Sequence, residues 1–479
     1  MNDVEVAIVG GGISGLSAAY ELERRRIPFV LLEKSARLGG VIRTERAGGF
    51  TMDAGPDALL IHKPAALELC AELGLERQLI PTLPPRTAYV VRNAALQPLP
   101  PGSVLGVPTR IGPLAGNRLL SWRGRVRMGL DLVVPRAGRG TEDESVAAFF
   151  RRRFGTEAVA YVADPLLGGI HAGDVERLSM RALFPQFVEA ERSHGSVIRA
   201  FRRVAAERAA GGDRDGQFRS LTDGLEALPR AIAARLAPGA VRTGTGVVQL
   251  TAGARSNGRR YTLRTSGGAP IAADQVICAL PAHAAAPLLA GLDEAVGRLC
   301  GSIGHTSVAI VVLAWPRAVV RHPLDGTGFV VPRAEAGLSI TAATWISSKW
   351  PGRAPEGHVL LRGFAGGMRS PEALEQTDDA LATAVQRDLA RLLDIDGEPV
   401  LARVYRWPLA NPQPDVGHLA RIAAIDARLR SLPGLHIIGA AFRGVGIPDC
   451  VAAGRAAARA AAVEVHLGAG RAEAAQGAP

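Results

Sequence analysis

Three glycines near the start of the sequence have the spacing of a nucleotide-binding loop. Gly10, Gly12 and Gly15 follow the β-branched residues 4–9 and precede the helical pattern of residues 16–22. In this arrangement the first glycine permits a tight turn, the second lets the backbone approach a pyrophosphate, and the third lets the helix pack closely on the strand. The N terminus of the helix would then face the phosphate charge. The glycines alone also fit a turn with a purely structural role.

Glu33 favours the nucleotide over the structural turn. The apolar strand of residues 29–32 ends at Glu33, 18 residues beyond Gly15. An acidic side chain at this position can accept hydrogen bonds from the ribose hydroxyls of a dinucleotide. Strand, glycine loop, helix, second strand and terminal glutamate together predict an adenine dinucleotide.

Further glycine-rich segments favour FAD over NAD as this dinucleotide. Residues 37–44 form a second glycine turn, and residues 49–57 are predicted to form a hairpin and a Gly-Pro turn against the flavin ring. Residues 274–282 are typical of a buried strand that re-enters the nucleotide domain. In residues 435–450 a strand and a glycine-rich loop precede a helix, whose N terminus suits an electron-rich flavin edge. Besides the first loop glycines and Glu33, the predicted cofactor contacts are Ile13, Ser14, Lys34, Arg37, Gly39, Gly40, Val41, Thr44, Gly55, Pro56, Asp57, Ala279, Gly439, Gly446, Ile447 and Asp449.

The composition indicates a folded globular protein with a basic surface. A chain of 479 residues predicts two or three domains, and 47% hydrophobic residues exclude a disordered chain. The formal charge is +11, and all but three of the 56 basic side chains are arginines. The arginines are scattered, without a zinc finger, helix-turn-helix or RNP pattern, so no nucleic-acid partner is expected. Either an anionic ligand or surface, or a coding bias towards arginine, accounts for the charge.

Cysteine usage and hydropathy predict a cytoplasmic location. The four cysteines are far apart, without the spacing of a metal site or a disulfide framework. The first strand begins at residue 4, which leaves no room for a signal peptide, and no run of about 18 apolar residues occurs. The tail of residues 466–479 is small and polar and is expected to be disordered.

In their order, these segments resemble the amine oxidase–like superfamily of FAD enzymes, and within it the protoporphyrinogen oxidase family. The amine-oxidising branch usually has an arginine where Val41 stands. The resemblance extends from residue 4 to about residue 462. Its more specific marks are Leu38-Gly39-Gly40, Gly55-Pro56-Asp57, the segment Gly169 to Asp174, Gly417-His418-Leu419 and the segment Gly444 to Cys450.

The resemblance implies an α/β fold with a discontinuous Rossmann-like FAD-binding domain, a mixed-sheet substrate domain and a helical insertion, as in p-hydroxybenzoate hydroxylase and amine oxidases. The implied boundaries are 1–84, 218–290 and 415–465 for the FAD-binding domain, 85–97 and 295–412 for the substrate domain, and 98–210 for the insertion. In the family this insertion rests on a membrane. Leu119, Leu120 and Trp122 among arginines are predicted to form such a peripheral patch, although a loop over the active site is an alternative. A homodimer is a further expectation.

The resemblance also implies which residues contact a bulky substrate. Arg86 matches an arginine that pairs with a substrate propionate, and a guanidinium suits a carboxylate. Gly169 matches a glycine whose backbone approaches the centre of a tetrapyrrole. Val330 and Leu338 match apolar contacts, whereas Thr327 stands where the family has an aromatic residue. Val247 and Trp407 match cofactor contacts near the adenine and the flavin. A surface arginine and a core tryptophan are the alternative interpretations of Arg86 and Trp407.

The implied reaction is the oxidation of protoporphyrinogen IX to protoporphyrin IX in haem biosynthesis. FAD would accept a hydride from a methylene bridge, and dioxygen would reoxidise it with release of hydrogen peroxide. Arg86 and Gly169 are the predicted catalytic residues, His171 is a weaker candidate for a polar helper, and no metal is expected. The alternatives are a coproporphyrinogen III oxidase, a carotenoid desaturase-like enzyme, and a non-catalytic FAD-binding protein.

Overall fold

The computed structural model describes residues 2–136, 143–210, 216–253 and 259–476. Its strands are β1 (Asn2–Val9), β2 (Phe29–Leu32), β3 (Thr44–Ala47), β4 (Phe50–Asp53), β5 (Leu59–Leu60), β6 (Leu79–Pro81), β7 (Ala88–Arg92), β8 (Ala95–Pro98), β9 (Phe218–Leu221), β10 (Val241–Arg242), β11 (Val247–Ala252), β12 (Tyr261–Thr265), β13 (Ile271–Cys278), β14 (Gly304–Pro316), β15 (Gly328–Val330), β16 (Ala342–Trp345), β17 (His358–Gly366), β18 (Leu401–Gln413) and β19 (Leu435–Ile437).

The α-helices are α1 (Ile13–Arg24), α2 (Ala65–Glu72), α3 (Ile111–Gly116), α4 (Trp122–Gly129), α5 (Val146–Phe154), α6 (Thr156–Ala158), α7 (Gly169–His171), α8 (Met180–Leu183), α9 (Pro185–His194), α10 (Val197–Ala210), α11 (Ala227–Ala233), α12 (Ala282–Ala290), α13 (Glu294–Gly301), α14 (Ile346–Lys349), α15 (Asp378–Leu393), α16 (His418–Leu429), α17 (Ala440–Arg443) and α18 (Ile447–Gln476). A π-helix, Val159–Gly168, lies between α6 and α7.

The first sheet has the Rossmann-like arrangement. Its order is β10-β2-β1-β13-β12-β11, with β19 also paired to β13. Strands β2, β1, β13 and β19 are parallel, and their apolar residues are buried because helices cover both faces. Helices α1 and α18 pack on one face. Helices α12, α13 and α16 pack on the other, so residues 294–303 belong with this sheet, beyond the boundary at 290 predicted for the FAD-binding domain.

The second sheet is mixed and follows the order β18-β14-β17-β16-β15-β7-β8. One face packs on α15 through residues such as Leu313, Leu361 and Leu389. On the other face, Ile310 and Val312 pack against Phe50 of the β3–β4 hairpin. The hairpin follows the first βαβ unit, so this face of the second sheet is turned towards the nucleotide loop.

The helices α3–α10 form a third layer with its own aromatic core, which includes Phe149, Phe150, Phe154 and Phe187. The side chains of Leu119 and Leu120 are buried in this core, so their predicted exposure in a surface patch is wrong. Trp122 is exposed as predicted, at 64%.

The C-terminal helix α18 is longer than the sequence predicts. It continues through Gln476, whereas a disordered tail was expected from residue 466. Residues 477–479 of that tail lie outside the described residues. Among the described residues, no helix is both long enough and apolar enough to cross a membrane.

Candidate functional site

The glycine loop between β1 and α1 is built by close backbone contacts. Gly10 has φ 108°, and a Cβ on Gly15 would overlap the carbonyl oxygen of Gly10. By contrast, a Cβ on Gly12 would meet nothing within 4 Å. Gly10 and Gly15 are therefore required by the fold itself. At Gly12, the N-cap of α1, the backbone faces open space in which a ligand phosphate can approach the helix N terminus.

Glu33 lies directly beside this loop, at the end of β2. Its carboxylate accepts hydrogen bonds from the backbone N–H of Gly11 at 2.6 Å and of Ser35 at 2.8 Å. Oε1 also accepts from the Ser35 hydroxyl at 2.8 Å, whereas Oε2 keeps a further acceptor position, which suits a ribose hydroxyl. Lys34 lies against Gly246, next to Val247 at the start of β11, so the predicted adenine contact Val247 lies near the predicted ribose contact Glu33.

Residues 37–44 wrap the outer side of the loop. The N–H of Gly39 donates to the carbonyl of Gly11 at 2.8 Å. The Arg37 guanidinium holds the turn by donating to the carbonyls of Leu38, Gly40 and Ile42. Gly39 and Gly40 have φ values of 100° and 59°, which explains the glycine pair.

The Gly-Pro turn packs on the same segment. A Cβ on Gly55 would overlap the carbonyl oxygen of Val41, and the Trp407 indole donates to the carbonyl of Ala54 at 2.6 Å. Thr44 Oγ1 donates to Asp53 at 2.6 Å. The turn is thus held between the second glycine segment and β18, while Val41 is 42% exposed and Trp407 is half-buried.

The C-terminal glycine segment lies beside the first glycine loop. The carbonyl of Ala279 lies against Gly10, and Gly439, with φ 127°, lies close to the carbonyl of Leu280. Ile447 begins α18, and the N–H of Gly446 donates to Asp449 at 3.3 Å. Cys450 lies against Ser14 of α1. Two helix N termini, those of α1 and α18, therefore lie beside each other.

These contacts fit an extended dinucleotide with a flavin. The open space at Gly12, the acceptors of Glu33 and the two adjacent helix N termini suit the ribose and the pyrophosphate. The predicted cofactor contacts between residues 10 and 57 are therefore close in space to Ala279, Trp407 and residues 439–449.

The face of the second sheet towards this site carries a row of cross-strand neighbours. Val330 pairs with Ala342, Ala342 with Phe364, Phe364 with Ile310, and Ile310 with Tyr405. Because alternate residues point to one face, Arg362, two positions before Phe364, also faces the site. Its guanidinium lies 4.9 Å from the Phe364 ring centroid.

A buried charge cluster that the sequence analysis missed lies behind the Gly-Pro turn. We call the set Asp53, Asp57, Lys349, Arg353 and Arg362 the turn cluster. The sequence analysis assigned no role to Lys349, and the two arginines gave no signal among 53. Although burial opposes ionisation, Arg362 and Lys349 hold the pKa of Asp57 well below its usual range. Burial raises the pKa of Asp53 despite Arg353 nearby.

Gly169 begins the short helix α7 directly after the ten-residue π-helix. Its φ is −59°, which any residue can adopt, and a Cβ there would meet nothing within 4 Å. A requirement for glycine at this position would therefore come from a bound molecule and not from the backbone. The next side chain, Ile170, is 61% exposed, which is unusual for isoleucine and suits an apolar ligand.

The other predicted substrate residues lie in three places. Arg86 donates from Nε to Thr82 Oγ1 at 2.8 Å, and the N–H of Thr327 donates to the carbonyl of Thr87 at 2.8 Å, so Arg86 and Thr327 are close neighbours. Val330 packs against the helical layer that carries Gly169. Leu338 packs on the α15 face of the second sheet, so the structure does not bring it together with Val330.

His171 is a buried neutral residue. Burial lowers its pKa to about 4, and its Nδ1 has no hydrogen-bond partner among the described residues. The ring packs edge-on against Phe184, with centroids 5.7 Å apart. At neutral pH it can therefore accept or donate one proton in a hydrogen bond but carries no charge.

Comparison with known proteins agrees with this geometry. A family model described as flavin containing amine oxidoreductase matches residues 13–462. The coproporphyrinogen III oxidase of Bacillus subtilis (strain 168) is 38% identical over 94% of this chain and 96% of its own length. Protoporphyrinogen oxidase 1 of Spinacia oleracea is 30% identical over 94% of this chain and 82% of its own length. The crystal structure of an Exiguobacterium sp. 255-15 protein with a provisional protoporphyrinogen oxidase name has a TM-score of 0.84 at 32% identity, covering 97% of this chain and 99% of that protein.

Proposed function

Because this chain belongs to the family of flavin-containing amine oxidoreductases, with FAD as its cofactor, we propose that it oxidises a porphyrinogen to the porphyrin. The proposed substrate is coproporphyrinogen III, with dioxygen as the acceptor and hydrogen peroxide as the second product. The observation that carries this choice is the 38% identity to the coproporphyrinogen III oxidase of Bacillus subtilis over nearly the full length of both chains.

The sequence alone favours protoporphyrinogen IX, with coproporphyrinogen III as the alternative. The relatives support the reverse order. The Staphylococcus aureus relative of the same name is 34% identical over 95% of this chain, whereas the plant protoporphyrinogen oxidase reaches 30%. Coproporphyrinogen carries four carboxylates and protoporphyrinogen two. A chain with a net charge of +11 suits the more anionic molecule.

The residues of this chain would act by orienting the porphyrinogen against the flavin. The open backbone at Gly169 admits the macrocycle, and the exposed Ile170 and Val41 offer apolar contact to its faces. Arg86, already held by Thr82, presents a pre-organised guanidinium to a propionate at one edge. When bound, FAD supplies the two-electron acceptor of the reaction. Holding the reacting carbon against that acceptor is the main contribution expected of the protein.

Anaerobic mixing of the purified FAD-loaded protein with each porphyrinogen tests the proposal. We expect the flavin absorbance to bleach faster with coproporphyrinogen III than with protoporphyrinogen IX, and oxygen to restore it with formation of hydrogen peroxide. Bleaching by protoporphyrinogen alone would select the other porphyrinogen, and bleaching by neither would reject both. Arg86→Ala should raise the Michaelis constant more than it lowers kcat, and an unchanged Michaelis constant would contradict the role of Arg86.

Protoporphyrinogen IX remains the second candidate because one feature favours it. By resemblance, Arg86 matches the arginine that pairs with a propionate in the protoporphyrinogen oxidase family, and its neighbour Thr87 accepts a hydrogen bond from Thr327, directly before β15. A single arginine that pairs with one carboxylate at this edge is sufficient for protoporphyrinogen, which has two carboxylates.

We also propose a peripheral membrane contact, at a surface that differs from the one predicted. Trp122, Val126, Leu130 and Val133 are 64%, 58%, 43% and 72% exposed. We call these four the helical-layer patch. Their spacing places them along one side of α4 and of the turn that follows it. Arg118, Arg123 and Arg125 flank the patch in sequence and suit an anionic headgroup layer.

A further inference from the structure

We propose that the turn cluster is an electrostatic positioning site for the flavin: it holds the Gly-Pro turn and its net positive charge favours the reduced cofactor. The proposal rests on the FAD site and does not depend on which porphyrinogen is oxidised. It assigns a role to Lys349 and Arg362, which come to the turn from the second sheet and its connections.

The first part of the cluster surrounds Asp57. Lys349 Nζ lies 2.8 Å from Asp57 Oδ2, and the Trp350 indole donates to the same oxygen at 3.0 Å. Arg362 Nη2 lies 3.0 Å from Asp57 Oδ1. The side chains of Lys349, Asp57 and Arg362 are 14%, 12% and 4% exposed, so water screens these charges little.

The same arginine holds the turn itself. Arg362 Nη1 donates to the carbonyls of Asp53 at 3.1 Å and of Gly55 at 3.0 Å. Since the Trp407 indole holds the intervening carbonyl of Ala54, three successive carbonyls are fixed from the second sheet. Any shift of Arg362 would therefore move the turn.

The second part of the cluster surrounds Asp53. Arg353 has no exposed side-chain surface, and its Nη2 lies 3.3 Å from Asp53 Oδ2 and donates to Ser220 Oγ at 2.9 Å. Its Nε and Nη1 have no hydrogen-bond partner among the described residues, and neither has Nε of Arg362. Buried donors without partners are costly, which makes a purely structural explanation of both arginines incomplete.

The charges of the cluster do not cancel. Three cations face two carboxylates, so the set carries a net formal charge of +1 in a buried position. Reduction of a flavin by two electrons with uptake of one proton adds one negative charge to it. Since a buried charge acts through a medium of low effective dielectric constant, a net cation behind the flavin-contacting turn lowers the free energy of the reduced state. Val41, whose carbonyl oxygen lies against Gly55 of the turn, is 42% exposed, whereas no side chain of the cluster is more than 14% exposed.

Substitution of Lys349 separates this role from simple support of the turn. We expect Lys349→Met to lower the midpoint potential of the bound flavin. The reduction equilibrium should change at least tenfold, which corresponds to about 30 mV for a two-electron couple. Lys349→Arg retains the charge and should leave the potential unchanged. The matched control is Arg298→Met, which removes one positive charge from an exposed ion pair on α13.

The charge-compensated variants give the decisive comparison. Asp57→Asn should raise the potential, and the double variant Asp57→Asn/Lys349→Met, which keeps the net charge of the cluster, should return it close to that of the unsubstituted protein. The potentials are measured by dye equilibration, with FAD stoichiometry determined separately. Equal potentials in all variants that retain FAD would overturn the electrostatic role. Loss of FAD from Lys349→Met, Asp57→Asn and the double variant alike would also overturn it and leave a role in support alone.

Discussion

The ammonium of Lys63 lies 2.7 Å from Oδ2 and 2.9 Å from Oδ1 of Asp449, although 386 residues separate them. Lys63 follows the Gly-Pro turn, and Asp449 lies in the first turn of α18. The Asp449 side chain is only 20% exposed and also accepts from the N–H of Gly446. The ion pair therefore fixes the C-terminal glycine segment against the segment that follows the Gly-Pro turn.

Lys63→Met should weaken FAD binding without unfolding the protein. Removal of the ammonium leaves a partly buried carboxylate unpaired, at a cost of about 1–3 kcal/mol. We expect the dissociation constant for FAD to rise about tenfold, as measured by titration of the apoprotein. Lys63→Arg is the matched control, and it should bind FAD within about threefold of the unsubstituted protein. An unchanged constant for the methionine variant would show that the pair does not support the site.

Gly12→Ala and Gly15→Ala should fail in different ways. A Cβ on Gly12 meets nothing within 4 Å, whereas one on Gly15 overlaps the Gly10 carbonyl. The Gly12 variant should keep the thermal stability of the apoprotein but lose FAD affinity. The Gly15 variant should lower the unfolding temperature of the apoprotein as well. Calorimetry of the apoproteins, followed by FAD titration, distinguishes the two, and equal stabilities would contradict the packing described for the loop.

His171 should make the protein sensitive to mild acid. Its pKa is about 4 in the folded state, because of burial, and about 6.5 in an unfolded chain. The unfolded state therefore binds more protons between these values, and the stability contributed by the neutral ring is lost as pH falls from about 6.5 to 4. The difference between the two pKa values corresponds to a loss of about 3 kcal/mol in the free energy of unfolding over this pH range.

His171→Phe should remove part of this pH dependence. Urea unfolding at pH 7 and pH 5 measures it, and the difference between the two pH values should be smaller in the variant. His194→Gln, at an exposed site on α9, is the control and should keep the dependence of the unsubstituted protein. An identical dependence in the phenylalanine variant would show that His171 titrates normally.

Arg153→Met should unfold the helical layer at much lower denaturant. Arg153 has no exposed side-chain surface, and its Nε donates to Asp131, equally buried, at 2.7 Å. Breaking a buried pair costs about 3–5 kcal/mol. Arg151→Met removes an exposed pair with Glu176 and should cost less than about 1 kcal/mol. Limited proteolysis of residues 98–210 measures both, and similar cleavage rates would contradict the prediction.

Replacement of Trp122 and Val133 by serine should abolish binding to anionic vesicles. The helical-layer patch loses its two most exposed members, while the buried Leu119 and Leu120 are untouched. Co-sedimentation with vesicles of phosphatidylglycerol should recover the unsubstituted protein and not the variant, and neutral vesicles should recover less of the unsubstituted protein. Vesicle binding that persists in the variant would assign the contact to another surface.

The cofactor could be predicted, and a site for it proposed, because the signals in the sequence are local. The glycine loop, Glu33 and the Gly-Pro turn are contiguous motifs whose residue types follow from backbone conformation and close approach, as at Gly15 and Gly55. Family and cofactor follow from these motifs and are confirmed by the match over residues 13–462.

Burial and long-range pairing required the tertiary structure. Leu119, Leu120 and Trp122 stand together in the sequence, yet only Trp122 is exposed, because the path of the chain between α3 and α4 decides which side chains reach the core. Asp57 and Lys349 are 292 residues apart, and no spacing rule relates them. The sequence by itself determined the dinucleotide, since a turn that admits a phosphate needs glycine at set positions. Only the folding of the second sheet onto the hairpin decided which three of the many basic side chains lie against the Gly-Pro turn.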